Sequence, residues 1–165
     1  MPTLRKARQQ DLDHLTNLLR LLFTIEADFI FDEAKQRQGL LMMLNNDRGC
    51  ILVAEDAGQV IGMCTGQVVI STAEGGPSVL VEDLVVDPAH QGCGIGRSLI
   101  NTMAGWALEQ GATRMQLLAD KTNGSGLAFY EHLGWRTTAM ICLRRYIKLD
   151  GLSSNKNNQA VRMER

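Results

Sequence analysis

Aromatic residues make up only 5% of the 165 positions, so the interior must be built from aliphatic side chains and eight methionines, a pliable packing material. An excess of one charge is also missing. With 17 lysines and arginines against 18 aspartates and glutamates, no chain-wide basic field exists to hold nucleic acid or an anionic membrane, and only a local patch could do so. No apolar run approaches the roughly 18 residues that span a bilayer, and residues 1–13 lack the apolar centre of a secretory signal; the expected home is the cytoplasm. The four cysteines, Cys50, Cys64, Cys93 and Cys142, stand singly, with no C-x-x-C pair and no histidine at ligand spacing, so no metal site is expected.

What remains is the composition of a folded domain. At 45% hydrophobic and 21% charged residues, disorder throughout is excluded, and the length allows one domain of common size, assigned to residues 1–150. Residues 151–165 are Asn- and Ser-rich and polar, and are expected to form a mobile tail or an oligomer arm.

Residues 3–8 read as a first strand. Asp11 reads as a cap before Leu12, Leu15, Leu18, Leu19 and Leu22, whose helical spacing marks a core-facing side. After an acidic and aromatic connection, 24–31, Asp32 opens a second helix carrying Leu40, Leu41 and Leu44 and ending near Asn45 and Asn46. The pattern then turns to β. Residues 50–55 and 60–71 form a hairpin about the turn 56–59, and 79–86 is an apolar strand interrupted by Glu82 and Asp83 and stopped by Asp87-Pro88. A helix over 94–110 places Leu99, Ile100, Met103, Trp106 and Ala107 on its apolar side and ends at Gly111, before a strand over 114–119. Strand, glycine turn, helix and strand make a βαβ unit, so these two strands should run parallel with the helix packed over them. A shorter helix, 126–133, closes at Gly134, and 135–149 is expected to supply a last strand or pair of strands.

The most informative segment is the turn Gln91, Gly92, Cys93, Gly94, Ile95, Gly96, Arg97 and Ser98. Three glycines at a helix start let the backbone fold tightly and gather several N–H groups on one anion, where the helix dipole also favours negative charge. Arg97 could add a donor or point to solvent. A Walker loop needs G-x-x-x-x-G-K-[ST], but Gln91 and Arg97 occupy the wrong places; a dinucleotide fingerprint needs G-x-G-x-x-G directly after the strand, and the spacing here is G-x-G-x-G behind an extra 87–90 link. A glycine-rich turn that binds nothing is the plain alternative.

Residues Gln91 to Gly96 resemble the Q/R-x-x-G-x-G/A pyrophosphate loop of the GNAT superfamily of acyl-CoA-dependent N-acetyltransferases, and residues 81–88 resemble that family's fourth strand. Downstream, Asn123 followed by Ala128, Phe129, Tyr130, Gly134 and Trp135 resembles the family's N-x-x-A-x-x-F-Y-x-x-x-G-F segment; Gly126 stands where alanine is usual and Trp135 where phenylalanine is. The order of elements fits from about residue 3 to 149. The resemblance implies an α/β fold with a mixed, mostly antiparallel sheet, a central splayed pair of parallel strands and flanking helices. It also implies acetyl-CoA as co-substrate, with Leu84, Val85 and Val86 along the pantetheine arm and thioester, main-chain groups of Leu84 and Val86 facing it, and the turn from Gln91 to Ser98 on the pyrophosphate. A homodimer is in keeping with it.

Acyl transfer to an amine needs the amine unprotonated, a donor for the developing oxyanion and a proton for the departing thiolate. Strand alternation places Glu82 with Leu80, Leu84 and Val86 on one face, where desolvation would suit it as the base; Asp83 points the other way unless a bulge exchanges the two. By the resemblance Tyr130 is the acid that protonates sulfur, although an aromatic beside Phe129 can also be packing. Asn123 either bonds the cofactor arm or caps its helix. Cys93 lies inside the loop, where oxidation should impair cofactor binding. His14, His90 and His132 lie on different elements and suggest no hydrolytic triad. The acceptor side is implied to lie at the two N-terminal helices, whose connection carries Glu26 and Asp28 with Asp32 and Glu33; these acids would draw a cationic amine, or are simply solvated. An N-acetyltransferase, a non-catalytic acyl-CoA-binding or regulatory domain and an unrelated interaction module all stay open at this point.

Overall fold

The computed structural model describes residues 2–26 and 28–147. The element order is β1 (Thr3–Lys6), α1 (Leu12–Ile25), α2 (Glu33–Leu44), β2 (Gly49–Asp56), β3 (Gln59–Ser71), β4 (Gly76–Val86), α3 (Ile95–Glu109), β5 (Met115–Leu117) and α4 (Gly124–His132). The five strands form one sheet in sequence order, antiparallel except for the parallel β4–β5 pair. This is the mixed, mostly antiparallel sheet with a splayed parallel pair that the resemblance implies, the pair lying at the edge of the sheet among the described residues.

Each face of the sheet is covered by the helix whose apolar spacing predicted it. Leu12, Leu15, Leu18, Leu19 and Leu22 of α1 bury against Ile51, Val53, Met63 and Val85, with Leu40 of α2 beside them. On the opposite face Leu99, Ile100, Met103 and Trp106 of α3 bury against Leu52, Cys64, Val79 and Val81. Gly66 makes that approach possible, because a Cβ there would stand 2.6 Å from the Met103 sulfur and 3.2 Å from Val79. The close seat of α3 fixes where its N-terminus, and therefore the glycine turn, meets the end of β4.

Asp11 departs from its expected role. Instead of capping α1 it accepts the Arg8 N–H at 2.7 Å and two Arg5 guanidinium bonds at 2.7 and 2.9 Å, while Arg5 also bonds Glu55 on β2. The Arg5 bonds hold the Asp11 carboxyl below the usual aspartate range against the opposing effect of burial. Since the folded carboxyl is the more acidic, its contribution is complete above the ordinary aspartate range and is lost as pH falls through the lower, folded value. Asp11→Ala should cost about 3 kcal/mol in urea unfolding near neutral pH, with a smaller difference from the parent in strong acid. An equal stability at neutral pH would show the network to be inert.

The expected last strand or pair over 135–149 is not found among the described residues. Gly134 turns the chain at φ +85°, the Trp135 N–H bonds the Tyr130 carbonyl, and no residue from 135 to 147 joins the sheet. Arg144 instead lies 4.8 Å from the Phe29 ring and 3.7 Å from Asp28, which holds this stretch against the α1–α2 connection rather than beside β5. Met140, Ile141, Leu143, Tyr146 and Ile147 are consequently exposed. Residues 148 and 149, like the tail 151–165, lie outside the described residues.

Candidate active site

The centre of the site is a break in the sheet. Across β3 and β4, Gly66 faces Val81 and Cys64 faces Leu84, so Thr65 alone opposes both Glu82 and Asp83. One extra residue on β4 makes this a β-bulge, which bends the strand and reverses which side chains face which layer. Before the bulge Val79 and Val81 pack towards α3; after it Leu84 and Val86 do, and Val85 packs towards α1. The uninterrupted alternation that grouped Glu82 with Leu84 and Val86 therefore does not hold.

At the same place β4 parts from β5. Their pairing runs from Val79–Met115 to Val81–Leu117 and stops, leaving the edge of β4 from Glu82 onward without a neighbouring strand on that side among the described residues. The Asp87 N–H bonds the Ile61 carbonyl at 2.8 Å, and in an antiparallel ladder alternate residues bond to the same partner strand. Counting back along the register, Val85 is bonded to β3, whereas Leu84 and Val86 turn their N–H and C=O groups into the gap. The Val86 carbonyl is met there by the Gln91 side-chain amide at 2.9 Å.

The gap leads directly to the glycine turn. A short 3-10 turn, Pro88–His90, is capped by Asp87, whose carboxylate accepts the Ala89 N–H at 2.8 Å. Gly92 and Gly94 then adopt φ of +75° and +79°, conformations that side chains rarely tolerate, and an added Cβ on either would point into open space. Gly94 is the residue before the first turn of α3, so the N–H groups of Ile95, Gly96 and Arg97 have no intrahelical acceptors, and none of them bonds another backbone group among the described residues. These unbonded amides, a left-handed backbone and the positive end of a fifteen-residue helix form a cradle fit for a diphosphate. Ser98 turns back, its hydroxyl bonding the Gly94 carbonyl at 3.1 Å.

A family match covers this stretch and most of the chain about it. Residues 12–135 match the model of the Acetyltransferase (GNAT) family. The chain belongs to that family. N-acetyltransferase family 8 member 2 of Rattus norvegicus is 29% identical over 108 residues, 66% of this chain and 48% of that protein. Glucosamine 6-phosphate N-acetyltransferase of Trypanosoma brucei brucei is 30% identical over 83 residues, 50% of this chain and 54% of its own. The chain thus spans about half the length of these curated relatives. Among solved structures, the aminoglycoside N-acetyltransferase AAC(6')-Iy in complex with CoA superposes with a TM-score of 0.78 at 18% identity, covering 88% of this chain and 95% of that one, which shows the shared fold.

In this GNAT chain the two acids of the bulge are treated differently. Glu82 is exposed and accepts the Gln67 amide at 3.1 Å, whereas Asp83 is partly buried and takes the Thr65 hydroxyl at 2.7 Å. Burial pushes the Asp83 carboxyl up to about 6; the Thr65 bond works against that, and the negative charges of Glu82 and Glu26 add to it. The desolvation expected for Glu82 thus falls on its neighbour.

Tyr130 stands on α4 and packs, like Leu84 and Val86, against the core cluster on the α3 side of the sheet. Its ring meets Phe129 edge-on at 5.2 Å and Trp135 at 5.7 Å, and burial, followed by the charges of Cys64 and Glu26, pushes the phenol up to about 12. Its hydroxyl takes no hydrogen-bond partner among the described residues. Asn123 caps α4, its side-chain oxygen accepting from the Gly126 N–H at 2.9 Å and the Ser125 hydroxyl at 3.0 Å.

Glu26, at the end of α1, is half-buried and is raised above the usual range by burial and then by Asp120, Asp28 and Glu82. Negative charges from β4 and from the loop after β5 therefore act on Glu26 at the end of α1. Asp28 is more exposed and shares its charge with Arg144. Glu26 and Asp28 stand out in the sequence as acids of the α1–α2 connection, whereas Asp120, Gln67 and Thr65 are brought near these acids only by the fold. No group of metal-ligating side chains occurs among the described residues, and none of their helices is long and apolar enough to cross a membrane.

Proposed function

We propose that the protein is an acetyl-CoA-dependent N-acetyltransferase that moves the acetyl group directly to a primary amine of a small molecule or peptide. The observation that carries this reading is the parting of β4 from β5 at the bulge, with the freed backbone of Leu84 and Val86 leading into the open amides of the glycine turn. Acetyl-CoA, when bound, supplies an activated thioester.

The chain's own groups supply the rest. Main-chain N–H groups from Gly92 to Arg97 hold the diphosphate, with Cys93 and Ser98 at its margins, and Leu84 to Val86 align the arm in the gap. Asp83 takes the proton of the incoming ammonium, for which a desolvated carboxyl poised near 6 is suited. Glu82 is the other candidate for that role, standing closer to solvent. The Tyr130 hydroxyl, kept protonated by its raised pKa, gives its proton to the departing sulfur. Tyr130→Phe should lower kcat about 100-fold with KM for acetyl-CoA little changed; an unaltered rate across the pH range would make this ring packing alone.

Glu26 and the acids acting on it favour an acceptor with more than one positive charge, such as a polyamine or an amino sugar. A thiol-release screen over polyamines, aminoglycosides, amino acids and peptides tests both activity and class. Release with cationic amines is expected; CoA binding without release by any amine would leave a binding or regulatory domain. The four free cysteines, two of them exposed, are in keeping with a reducing compartment such as the cytoplasm. A homodimer belongs to the same reading. It is supported by the exposed apolar residues from Met140 to Ile147 and by the outer edge of β5, which no strand pairs among the described residues and beside which a groove of about 550 Å³ opens between α3 and Trp135. Light scattering should give twice the mass of one chain.

A further inference from the structure

Thr65 occupies the position at which the sheet must decide which acid of the bulge goes inside. It is wholly buried on β3, and it is the single residue opposite Glu82 and Asp83. A bulge leaves its extra residue outside the regular ladder, and a buried N–H left so would be costly. Here the Thr65 hydroxyl oxygen accepts the Asp83 N–H at 2.9 Å and donates its own hydrogen to the Asp83 carboxylate at 2.7 Å. A hydroxyl has one hydrogen and two lone pairs, so accepting from the amide leaves the hydrogen free for the carboxylate. Both ends of Asp83, backbone and side chain, are thereby tied to one atom.

We propose that Thr65 is a positioning residue whose hydroxyl, clamped between the backbone N–H and the carboxylate of Asp83, sets the bulge so that Asp83 faces inward and Glu82 is left outside against Gln67. The catalytic consequence rests on the reading of Asp83 as the base; the clamp itself does not. The groups about Asp83 are Glu82 on its own strand, Glu26 from α1, and Cys64 on β3, with Tyr130 of α4 beyond Cys64. None of these is a cation, and no other side chain among the described residues donates to the Asp83 carboxylate. Thr65 is therefore the group that favours its ionised form, and serine should substitute for it where valine, equal in shape, cannot.

The test compares Thr65→Val and Thr65→Ser with the parent by two readouts. In carboxyl-labelled protein without ligands, the NMR titration of Asp83 should move up by about one pH unit in Thr65→Val and return to the parent value in Thr65→Ser. The acidic limb of kcat/KM for the amine should move up by a similar amount, so that turnover at pH 6 falls several-fold more than at pH 8. An Asp83 titration unchanged or lowered in a folded Thr65→Val protein overturns the clamp. An acidic limb that persists in Asp83→Asn overturns the assignment of the base instead, and the NMR titration still decides the clamp. Should Thr65→Val unfold, Thr65→Ala removes the same hydroxyl without added bulk on the strand and is read in the same way.

Discussion

Gly94→Asp is expected to weaken CoA binding about 100-fold or more while leaving the fold in place, as read by calorimetric titration with CoA and by thermal melting. Aspartate is among the residues that best tolerate a left-handed backbone and a helix N-terminus, so the φ of +79° and the capping position can accommodate it. What it removes is the site's electrostatics. A carboxylate at the mouth of the cradle satisfies the amides that should face the diphosphate and repels its charge, a combined loss of about 3 kcal/mol. Gly96→Asp should fail for an added reason, because its Cβ would lie 3.3 Å from the Phe129 ring and press on α4. Near-parental affinity in the folded Gly94→Asp protein would show that the diphosphate is held elsewhere.

Asp83→Asn is the second large effect. It should lower kcat/KM for the amine by 100-fold or more, in the usual range for loss of a general base, whereas Glu82→Gln should change it only a few-fold. The pH dependence carries the sign. With Asp83 pushed up to about 6, the parent should lose activity as pH falls through that value, because the protonated carboxyl cannot accept a proton, and the asparagine protein should lack that limb. A profile that loses its limb in Glu82→Gln and keeps it in Asp83→Asn would return the base to the exposed position.

The turn from Gln91 to Gly96 was legible because its chemistry is local: glycines next to a helix start need no distant residue to explain them. The same is true of the leucines of α1 and the apolar side of α3, whose spacing alone assigns them to the two faces of the sheet. Asp83 and Glu82 could not be separated in the same way. Which one turns inward depends on a slip of one residue between β3 and β4, and the partner that fixes it, Thr65, lies eighteen positions away in the chain. Alternation along β4 alone puts Asp83 on the face opposite Glu82, whereas Thr65 and Gln67, two apart on β3, receive both acids on one face. Asp11 shows the same limit on a smaller scale, since a capping pattern cannot reveal that Arg5 competes for the carboxylate. Residues 135–147 have the apolar content of a strand, but a strand also needs a neighbour, and Arg144 holds this stretch to Phe29 and Asp28 instead.

The most direct test of the central claim is a titration of isotope-labelled protein with CoA, following each backbone amide by NMR. If the freed edge of β4 and the start of α3 hold the cofactor, the largest shifts should fall on Gly92, Gly94, Gly96 and Arg97, with Leu84 and Val86 next, and saturate together. Shifts confined to the outer side of β5 and Trp135, or no saturable shift at all, would contradict it.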